Sequence, residues 1–216
     1  MTGRPLPPSA SVTLPGSGVR LVAPSADRNR GYIASLLQHV APERGDALEL
    51  ASGTGQHVVT FAEALPQFTW QPSEIDPARR ASIAAYVADA GLPNLRPPVE
   101  INATAPGWGA AHRADLIVVV NLLHLIRVDE VKVLLKEAAR ALRSGGRFVL
   151  YGPFMRAGEL TSPGDQSFHA DLVAADPAIG YKDDFDTLDW LIEAGLDIAE
   201  VVEMPANNLG IVARAW

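Results

Sequence analysis

The chain has 216 residues, of which 48% are hydrophobic and 20% are charged, and its formal net charge at pH 7 is −7. This balance is typical of a globular protein, and the acidic charge argues against a nucleic-acid partner, because binding to a phosphate backbone needs a basic surface. The chain contains no cysteine, which excludes disulfides, thiolate catalysis and cysteine-ligated zinc.

Residues 1–24 are rich in proline and glycine, a composition that resists both helix and central strand. We predict a flexible N-terminal arm here, with folding over a cleft as the alternative. The arm lacks the apolar segment after a basic start that marks a signal peptide, and the longest apolar run, Leu116–Val120, is too short to span a bilayer. We therefore expect a cytoplasmic protein with no membrane partner.

Residues 25–216 read as one domain in which predicted strands and helices alternate. Alternation of this kind predicts βαβ units, a mostly parallel sheet and helices on both of its faces. The predicted elements, in chain order, are a helix from Ser25 to Val40, strand Asp46–Leu50, a helix to Leu65, strand Phe68–Gln71, a helix from Pro77 to Gly91, strand Val99–Ala103, strand Leu116–Asn121, helix Val128–Leu142 and strand Arg147–Tyr151.

The remaining third of the chain differs from this alternation. Residues 152–185 form a long connection with one short predicted helix near Phe168 to Ala174, and connections of this length are typical of a lid or a binding loop. After helix Thr187–Ala194, strands Ile198–Glu203 and Leu209–Ala215 are separated by too few residues for a helical crossover. They are therefore predicted to pair as an antiparallel hairpin.

Glycines follow the first strand of the domain in the run Glu49-Leu50-Ala51-Ser52-Gly53-Thr54-Gly55. A helix N-terminus with close backbone approach can hold a polar, partly anionic ligand, and Gly53 and Gly55 lack the Cβ that would obstruct it. The same turn also serves as an ordinary strand-to-helix loop. Glu49, which ends an apolar strand, needs a partner such as an ammonium group or a backbone network.

Acidic residues also follow the second strand, about twenty residues after the glycine turn. An acidic side chain at this place can accept hydrogen bonds from the two ribose hydroxyls of an adenosyl or dinucleotide cofactor. Asp76 suits the N-cap of the helix that begins near Pro77, so the ribose is assigned to Glu74, with Ile75 beside it.

The run from Glu49 to Gly55 resembles the S-adenosylmethionine-binding turn of class I methyltransferases, with Ala51 where many members carry the first glycine. More narrowly, about residues 25 to 214 resemble the methyltransferase-like family called domain of unknown function 938. The blocks that carry this resemblance are Asp27-Arg28-Asn29-Arg30, Ala51-Ser52-Gly53-Thr54-Gly55-Gln56-His57, Trp70-Gln71-Pro72-Ser73, Tyr151-Gly152-Pro153-Phe154 and Met204-Pro205-Ala206-Asn207-Asn208-Leu209.

The resemblance implies a Rossmann-like class I methyltransferase fold, with a seven-stranded, mostly parallel sheet that ends in an antiparallel hairpin. It also implies S-adenosyl-L-methionine as cofactor and S-adenosyl-L-homocysteine as product. By position, Asn102 and Ala103 would contact adenine, Asn121 and Leu122 would lie beneath the methionine part, and Arg28 and Asn29 would meet its carboxylate. The full expected cofactor set is Arg28, Asn29, Glu49, Ala51, Ser52, Gly53, Gly55, Glu74, Ile75, Asn102, Ala103, Asn121 and Leu122.

The catalytic candidates are His124 and Tyr151, at the ends of strands, and His169 in the predicted lid. A single histidine after a strand also commonly serves as a structural hydrogen-bonding group. Asp165, His169 and Asp171 match no recognised ligand spacing, so we expect no metal. In the lid, His169 stands where the family commonly has Asp, and residues 179–183 replace its usual Trp-Gly-Ile-Arg-Asp.

These features predict an S-adenosylmethionine-dependent methyltransferase that acts on the oxygen or nitrogen of a small-molecule acceptor, as a monomer or homodimer. Methyl transfer is an in-line displacement, so a general base is required only if the acceptor starts protonated. Two alternatives stay open, because a fold does not determine the reaction. The protein could bind the cofactor without turnover, as a sensor or partner subunit, or could use it in another type of reaction.

Overall fold

The computed structural model describes residues 6–216, so the first five residues of the predicted arm lie outside it. Within this range the helices α1–α7 span Pro24–Val40, Gln56–Ala64, Pro77–Ala90, Trp108–Ala111, Val128–Ala141, Pro163–Ala175 and Asp184–Glu193. The strands β1–β9 span Leu14–Pro15, Leu21–Val22, Gly45–Leu50, Phe68–Pro72, Ala114–Val120, Leu142–Met155, Lys182–Asp183, Asp197–Met204 and Asn208–Arg214.

The main sheet has the strand order β4-β3-β5-β6-β9-β8, and β7 pairs with the end of β6 as its seventh strand within residues 6–216. Strands β3, β4, β5 and β6 are parallel to one another, whereas β9 is antiparallel to both β6 and β8. The short connection between β8 and β9 closes through Ala206 and Asn207, whose φ angles of 58° and 60° are those of a tight hairpin turn. The predicted sheet with its terminal hairpin is confirmed.

One predicted strand is wrong. Residues 99–103 do not form a strand, and the chain from Leu95 to Val99 pairs with β4 and the residue after it through isolated bridges, Leu95 with Trp70 and Val99 with Ser73. Pro97 lies between these bridges and is followed by a second proline, so two backbone N–H donors are missing where a continuous ladder would need them. The seventh strand of the sheet is instead β7, which the sequence did not predict.

Helices cover both faces of the sheet, and the central strand β5 shows why. Its alternate residues enter two different cores: Leu116 and Val118 pack on the face of α1, α2 and α3, while Ile117 and Val119 pack on the face of α4, α5 and α7. All four side chains are fully buried. An unbroken aliphatic run is therefore explained by burial on both sides, as expected for a parallel sheet.

Two segments lie over the carboxyl ends of the parallel strands. In residues 152–185, helix α6 is longer than predicted and begins at a cap formed by Ser162, whose hydroxyl accepts from the backbone N–H of Asp165. At the N-terminus, strands β1 and β2 form a hairpin that rests on α3 through a 2.8 Å bond from the N–H of Leu21 to Ser82 Oγ. Among the described residues, no helix is long and apolar enough to cross a membrane.

Candidate functional site

A crevice of about 1150 Å³ opens at the carboxyl ends of β3, β4, β5 and β6. Ligands of open α/β sheets bind at this edge, because the loops that leave parallel strands diverge there. The crevice is lined by most of the residues predicted from sequence: Arg28, Asn29, Glu49, Ala51, Ser52, Gly53, Glu74, Ile75, Asn102, Ala103, Asn121, Leu122, His124 and Tyr151. Gly55 and His169 do not line it.

The turn after β3 holds the chain in left-handed backbone conformations. The φ angles of Ala51, Gly53 and Gly55 are 52°, 61° and 100°. At Ala51 this conformation costs about 1–2 kcal/mol relative to glycine, which accounts for the glycine that many class I methyltransferases have there. A Cβ at Gly55 would lie 2.9 Å from the Cα of Ile83 on α3. Gly55 therefore allows α2 and α3 to pack closely, and its prediction as a ligand contact is not supported.

Glu49 is the most unusual charged residue in the crevice. Its side chain is 1% exposed, and its Oε2 atom has no hydrogen-bond partner within the described residues. Burial raises its pKa to about 8; a hydrogen bond from Ser52 opposes this shift, and the nearby charge of Glu74 adds to it. A buried carboxyl group with a free acceptor atom is suited to a cationic or N–H donor that enters the crevice.

Asp76 has the capping role that the sequence suggested, and Glu74 is a separate carboxyl group that lines the crevice. Asp76 is the N-cap of α3, where its Oδ1 accepts from the N–H of Arg79 at 2.9 Å. Glu74 is buried and accepts from three backbone N–H groups, those of Gly53 at 3.1 Å, Ile75 at 2.8 Å and Asp76 at 3.1 Å. A carboxylate has about four acceptor positions, so Glu74 joins the glycine turn to the end of β4 and keeps one for a ligand hydroxyl.

Two asparagines line the crevice beyond these carboxylates. The Oδ1 atom of Asn102 accepts from Thr104, both from its N–H at 3.1 Å and from its hydroxyl at 2.9 Å. Its amide NH₂ group is then the part suited to a ligand, so a hydrogen bond to an acceptor nitrogen fits better than acceptance from an amino group. Asn121 has a φ of 53°, and its N–H donates to the carbonyl of Tyr151 at 2.8 Å.

His124 lies in an aromatic cluster between the end of β5 and the segment over the crevice. Its ring contacts those of Phe168 and Tyr181 edge to face, at centroid distances of 5.6 and 6.1 Å. Burial lowers its pKa to about 3, and the charge of Lys182 acts in the same direction. The imidazole is therefore neutral at physiological pH, and it is a weak proton acceptor.

Tyr151 belongs to a hydrogen-bonded chain with helices α1 and α2. Its hydroxyl bonds with the side chain of Asn29, and burial raises its pKa while this bond opposes the shift. The Oδ1 atom of Asn29 accepts from His57 Nε2 at 2.8 Å. Burial lowers the pKa of His57 to about 4, so its ring is neutral. Tyr151 is thus a protonated hydroxyl that connects the sheet to α1.

His169 lies behind the aromatic cluster. Its Nδ1 accepts from the N–H of Tyr181 at 3.1 Å, and burial together with the Lys182 charge lowers its pKa. A catalytic role for His169 is not supported, because this bond occupies Nδ1 and the residue does not line the crevice. Within residues 6–216, no group of three or more histidine, aspartate or glutamate side chains is arranged to hold a metal ion.

Asp165 does line the crevice, and it accepts hydrogen bonds from four side chains. Burial acts to raise its pKa, but these bonds outweigh burial and hold the pKa below its usual value. An ionised Asp165 therefore joins α6, the strand β7 region and the terminal hairpin. Its donors are Thr161 at 2.9 Å, Ser162 at 2.6 Å, Tyr181 at 3.0 Å and Asn207 at 3.1 Å.

Sequence reasoning missed several lining residues. His57 and Arg79 lie in the first turns of α2 and α3, and Phe168 and Tyr181 lie in the segment over the crevice. The position of His57 directly after the glycine turn was a usable signal, because the first turn of that helix faces any ligand at the turn. Residues 9–13 also line the crevice, and Ser11 accepts a 2.6 Å bond from Arg79 Nη2. No local pattern in the N-terminal arm indicated this.

Residues 20–214 match the family described as Protein of unknown function (DUF938). The chain belongs to this family. Solved structures show that this DUF938 protein has the class I methyltransferase fold. An O-methyltransferase family protein from Burkholderia thailandensis superposes with a TM-score of 0.77 at 16% sequence identity, over 88% of this chain and 56% of that one.

Two further structures agree. An O-methyltransferase family 2 protein from Planctomyces limnophilus DSM 3776, in complex with apigenin, has a TM-score of 0.73 at 17% identity, over 89% of this chain and 60% of its own. Human N-acetylserotonin methyltransferase, in complex with SAM, has a TM-score of 0.73 at 15% identity, over 88% of this chain and 52% of its own. The DUF938 chain thus spans little more than half the length of these structures, and at this identity they establish its fold.

Proposed function

We propose that this protein binds S-adenosylmethionine and transfers its methyl group to the oxygen or nitrogen of a small-molecule acceptor. The observation that carries the proposal is the buried Glu49 carboxyl group: its Oε2 atom lacks a hydrogen-bond partner in the described structure, and Glu49 lines the same crevice as the glycine turn. The amino group of the cofactor is a donor of the kind that this atom needs. The fold adds support, since human N-acetylserotonin methyltransferase was solved with SAM.

The other polar groups fit the rest of the cofactor in the order in which the strands lie. Asn102 follows the segment beside β4 and has an amide NH₂ for a ring nitrogen of adenine. Glu74, after β4, has an acceptor position left for a ribose hydroxyl, and no heavy atom beyond its chain neighbours lies closer than 3.9 Å to the place where a Cβ of Gly53 would stand. Arg28, on α1, is exposed and lines the crevice, where its guanidinium suits the cofactor carboxylate.

When bound, the cofactor would supply an electrophilic methyl group to an acceptor held in line with it. The crevice exceeds the 300–1,000 Å³ or so that one drug-sized ligand usually fills, so it has room for a small acceptor beside the cofactor. The acceptor side has aromatic walls from Phe168 and Tyr181. A neutral His124 can accept a hydrogen bond from the acceptor, and the residues around it exclude water.

Cofactor binding is tested by titration calorimetry with S-adenosylhomocysteine, using the wild-type protein and the Glu49→Gln variant. We expect binding by the wild type and a loss of about tenfold or more in the variant, because a charge-assisted hydrogen bond contributes roughly 1.5–3 kcal/mol. Absence of binding by the wild type at millimolar ligand would contradict the proposal.

Turnover is tested separately, by measuring release of S-adenosylhomocysteine from S-adenosylmethionine in the presence of a panel of small phenols, carboxylic acids and amines. Mass spectrometry of the acceptor then identifies the methylated atom. Binding without release of S-adenosylhomocysteine for every acceptor class would favour a protein that binds the cofactor without turnover.

A further inference from the structure

Gln56 occupies an unusual position directly after the glycine turn. Its side chain is 4% exposed and does not line the crevice. Its Oε1 atom accepts from Thr54 Oγ1 at 2.8 Å and from the N–H of Ala23 at 2.6 Å, and its Nε2 atom donates to Asp27 Oδ1 at 2.8 Å. One side chain therefore joins the glycine turn, the residue before α1 and the first turn of α1.

The next residue repeats this connection. His57 Nε2 donates to Asn29 Oδ1 at 2.8 Å, and Asn29 also bonds with the Tyr151 hydroxyl at the end of the sheet. The first turns of α1 and α2 are thus joined by two side-chain contacts, Gln56 with Asp27 and His57 with Asn29. Arg28 lies between the two α1 residues that are held in this way.

The order of the strands tells which end of the cofactor lies beneath this contact. Along the crevice, Glu74 follows β4, Glu49 ends β3, Asn121 follows β5 and Tyr151 lies in β6, in that spatial order. With the ribose at Glu74, the amino-acid end of the cofactor extends toward β5 and β6. Asn29 is bonded to Tyr151 on that side, so the first turn of α1 covers the amino-acid end.

Arg28 is the cation available there. Its side chain is exposed and lines the crevice, and the structure of residues 6–216 shows no ion pair to its guanidinium. A long exposed arginine loses rotamer entropy when it binds a carboxylate. If its backbone is already held in place, binding orders only the side chain, so the total entropy cost is lower. The position of Arg28 depends on the α1 backbone, which Gln56 holds against the glycine turn.

We propose that Gln56 is a positioning residue: by binding Asp27 it holds the first turn of α1 where Arg28 and Asn29 recognise the amino-acid end of the cofactor. This proposal rests on the proposed function. It adds that recognition of the cofactor carboxylate depends on the contact between helices α1 and α2. Gln56 acts through other residues, because its own side chain has no access to the crevice.

The test compares two ligands, S-adenosylhomocysteine and 5′-methylthioadenosine, which share the adenosine and differ by the amino-acid group. In Asp27→Ala and Gln56→Leu, we expect affinity for S-adenosylhomocysteine to fall about tenfold, the effect of one charge-assisted hydrogen bond. Affinity for 5′-methylthioadenosine should stay within about twofold of the wild type. Asp27 is exposed, so Asp27→Ala carries the test even if Gln56→Leu folds poorly.

Two controls separate positioning from other causes. Asp27→Asn keeps an oxygen that accepts from Gln56 but removes the ion pair with Arg30, so it should restore the ligand preference of the wild type. Glu43→Ala changes an exposed acidic residue after α1 and should have no effect. Arg28→Ala should also lower the affinity for S-adenosylhomocysteine. In a protein that already carries Asp27→Ala, the further loss in log affinity should be less than half of the loss that Arg28→Ala causes in the wild type.

An equal loss of affinity for both ligands would overturn the proposal, because it would show a general effect of the substitutions on the glycine turn. Unchanged affinity for both, or full additivity of Arg28→Ala with Asp27→Ala, would also overturn it. Failure of the wild type to bind either ligand would instead contradict the proposed function itself. If the wild type binds both ligands, the positioning role of Gln56 is tested separately from the proposed function.

Discussion

Glu49 lies in β3 and Glu74 follows the neighbouring strand β4 at the same end of the sheet, and burial of Glu49, with the charge of Glu74 added to it, raises the pKa of Glu49 to about 8. The hydrogen bond from Ser52 only partly opposes this shift. Glu49 is therefore protonated in the free protein at neutral pH, although it is expected to meet an ammonium group in its ionised form. Ligand binding should then release a proton.

We predict that affinity for S-adenosylhomocysteine rises with pH between about 5.5 and 7, with a slope approaching tenfold per pH unit. The sign follows because the free protein binds one proton more than the complex, and the ligand amine keeps its own proton in this range. Calorimetry in buffers of different ionisation enthalpy measures the released proton directly. Glu49→Gln should remove both the release and the slope; a slope that persists in this variant would assign the proton to another group.

Glu74 is predicted to affect stability as well as binding. Glu74→Ala leaves the N–H groups of Gly53, Ile75 and Asp76 without their carboxylate acceptor, which should lower the free energy of unfolding by roughly 1–3 kcal/mol. Urea denaturation measures this loss, and titration with S-adenosylhomocysteine measures the loss of affinity. Glu74→Gln retains one oxygen of the same size and should lose less stability than Glu74→Ala. Equal affinities in the wild type and in Glu74→Ala would show that the ribose lies elsewhere.

Ala51 has a strained backbone, and relief of this strain is measurable. Ala51→Gly should raise the free energy of unfolding by up to about 1 kcal/mol, because the left-handed conformation costs an alanine more than the added flexibility of glycine costs the folded state. The matched control is Ala139→Gly, inside helix α5, which should lower stability by about 1 kcal/mol. A loss of stability in both variants would contradict the role of backbone strain at Ala51.

The neutral state of His124 is testable without an acceptor. With a pKa lowered by burial to about 3, its imidazole resonances should not shift between pH 5 and 8 in a nuclear magnetic resonance titration. His124→Gln identifies the signal by its disappearance. A titration midpoint between about 6 and 7 for this signal would contradict the assignment and would make His124 available as a general base near neutral pH.

The N-terminal segment is predicted to slow ligand release. Residues 9–13 line the crevice, and Ser11 is bonded to Arg79, so a ligand beneath them leaves only after they move. Deletion of residues 1–13 should increase the dissociation rate of S-adenosylhomocysteine, measured by competition with labelled ligand. Ser11→Ala, which removes only the bond to Arg79, should give a smaller increase. An unchanged rate after deletion would show that residues 9–13 have no role in closing the crevice.

Much of the fold was predictable because it depends on local or short-range physics. The aliphatic run of β5 indicates a strand buried on both faces, and the glycines after Leu50 indicate a tight turn into a helix. The short link between β8 and β9 leaves only an antiparallel pairing. The exception, residues 99–103, followed the same pattern of apolar residues, but the adjacent prolines removed the donors that a ladder requires.

The candidate site was predictable in composition because parallel strands bring their carboxyl ends to one edge. Glu49, Glu74 and Asn121 each follow a strand or lie at its end, so their presence in one crevice follows from the topology, and Asn102 lies in the segment beside β4. What each of them does there was less accessible from sequence. Asn102 turns its oxygen to Thr104, for example, and this leaves its amide NH₂ group as the part suited to a ligand.

The sequence by itself therefore determined the order of the elements, the glycine turn, the terminal hairpin and the set of polar residues at the sheet edge, because these depend on periodicity, backbone preference and loop length. Tertiary structure alone decided that Gly55 accommodates Ile83, that His169 lies behind Tyr181, and that Gln56 reaches Asp27, 29 residues earlier in the chain. The physical reason is that these contacts join residues on separate segments of the chain, and the distance between such residues is set by packing, which no local pattern records.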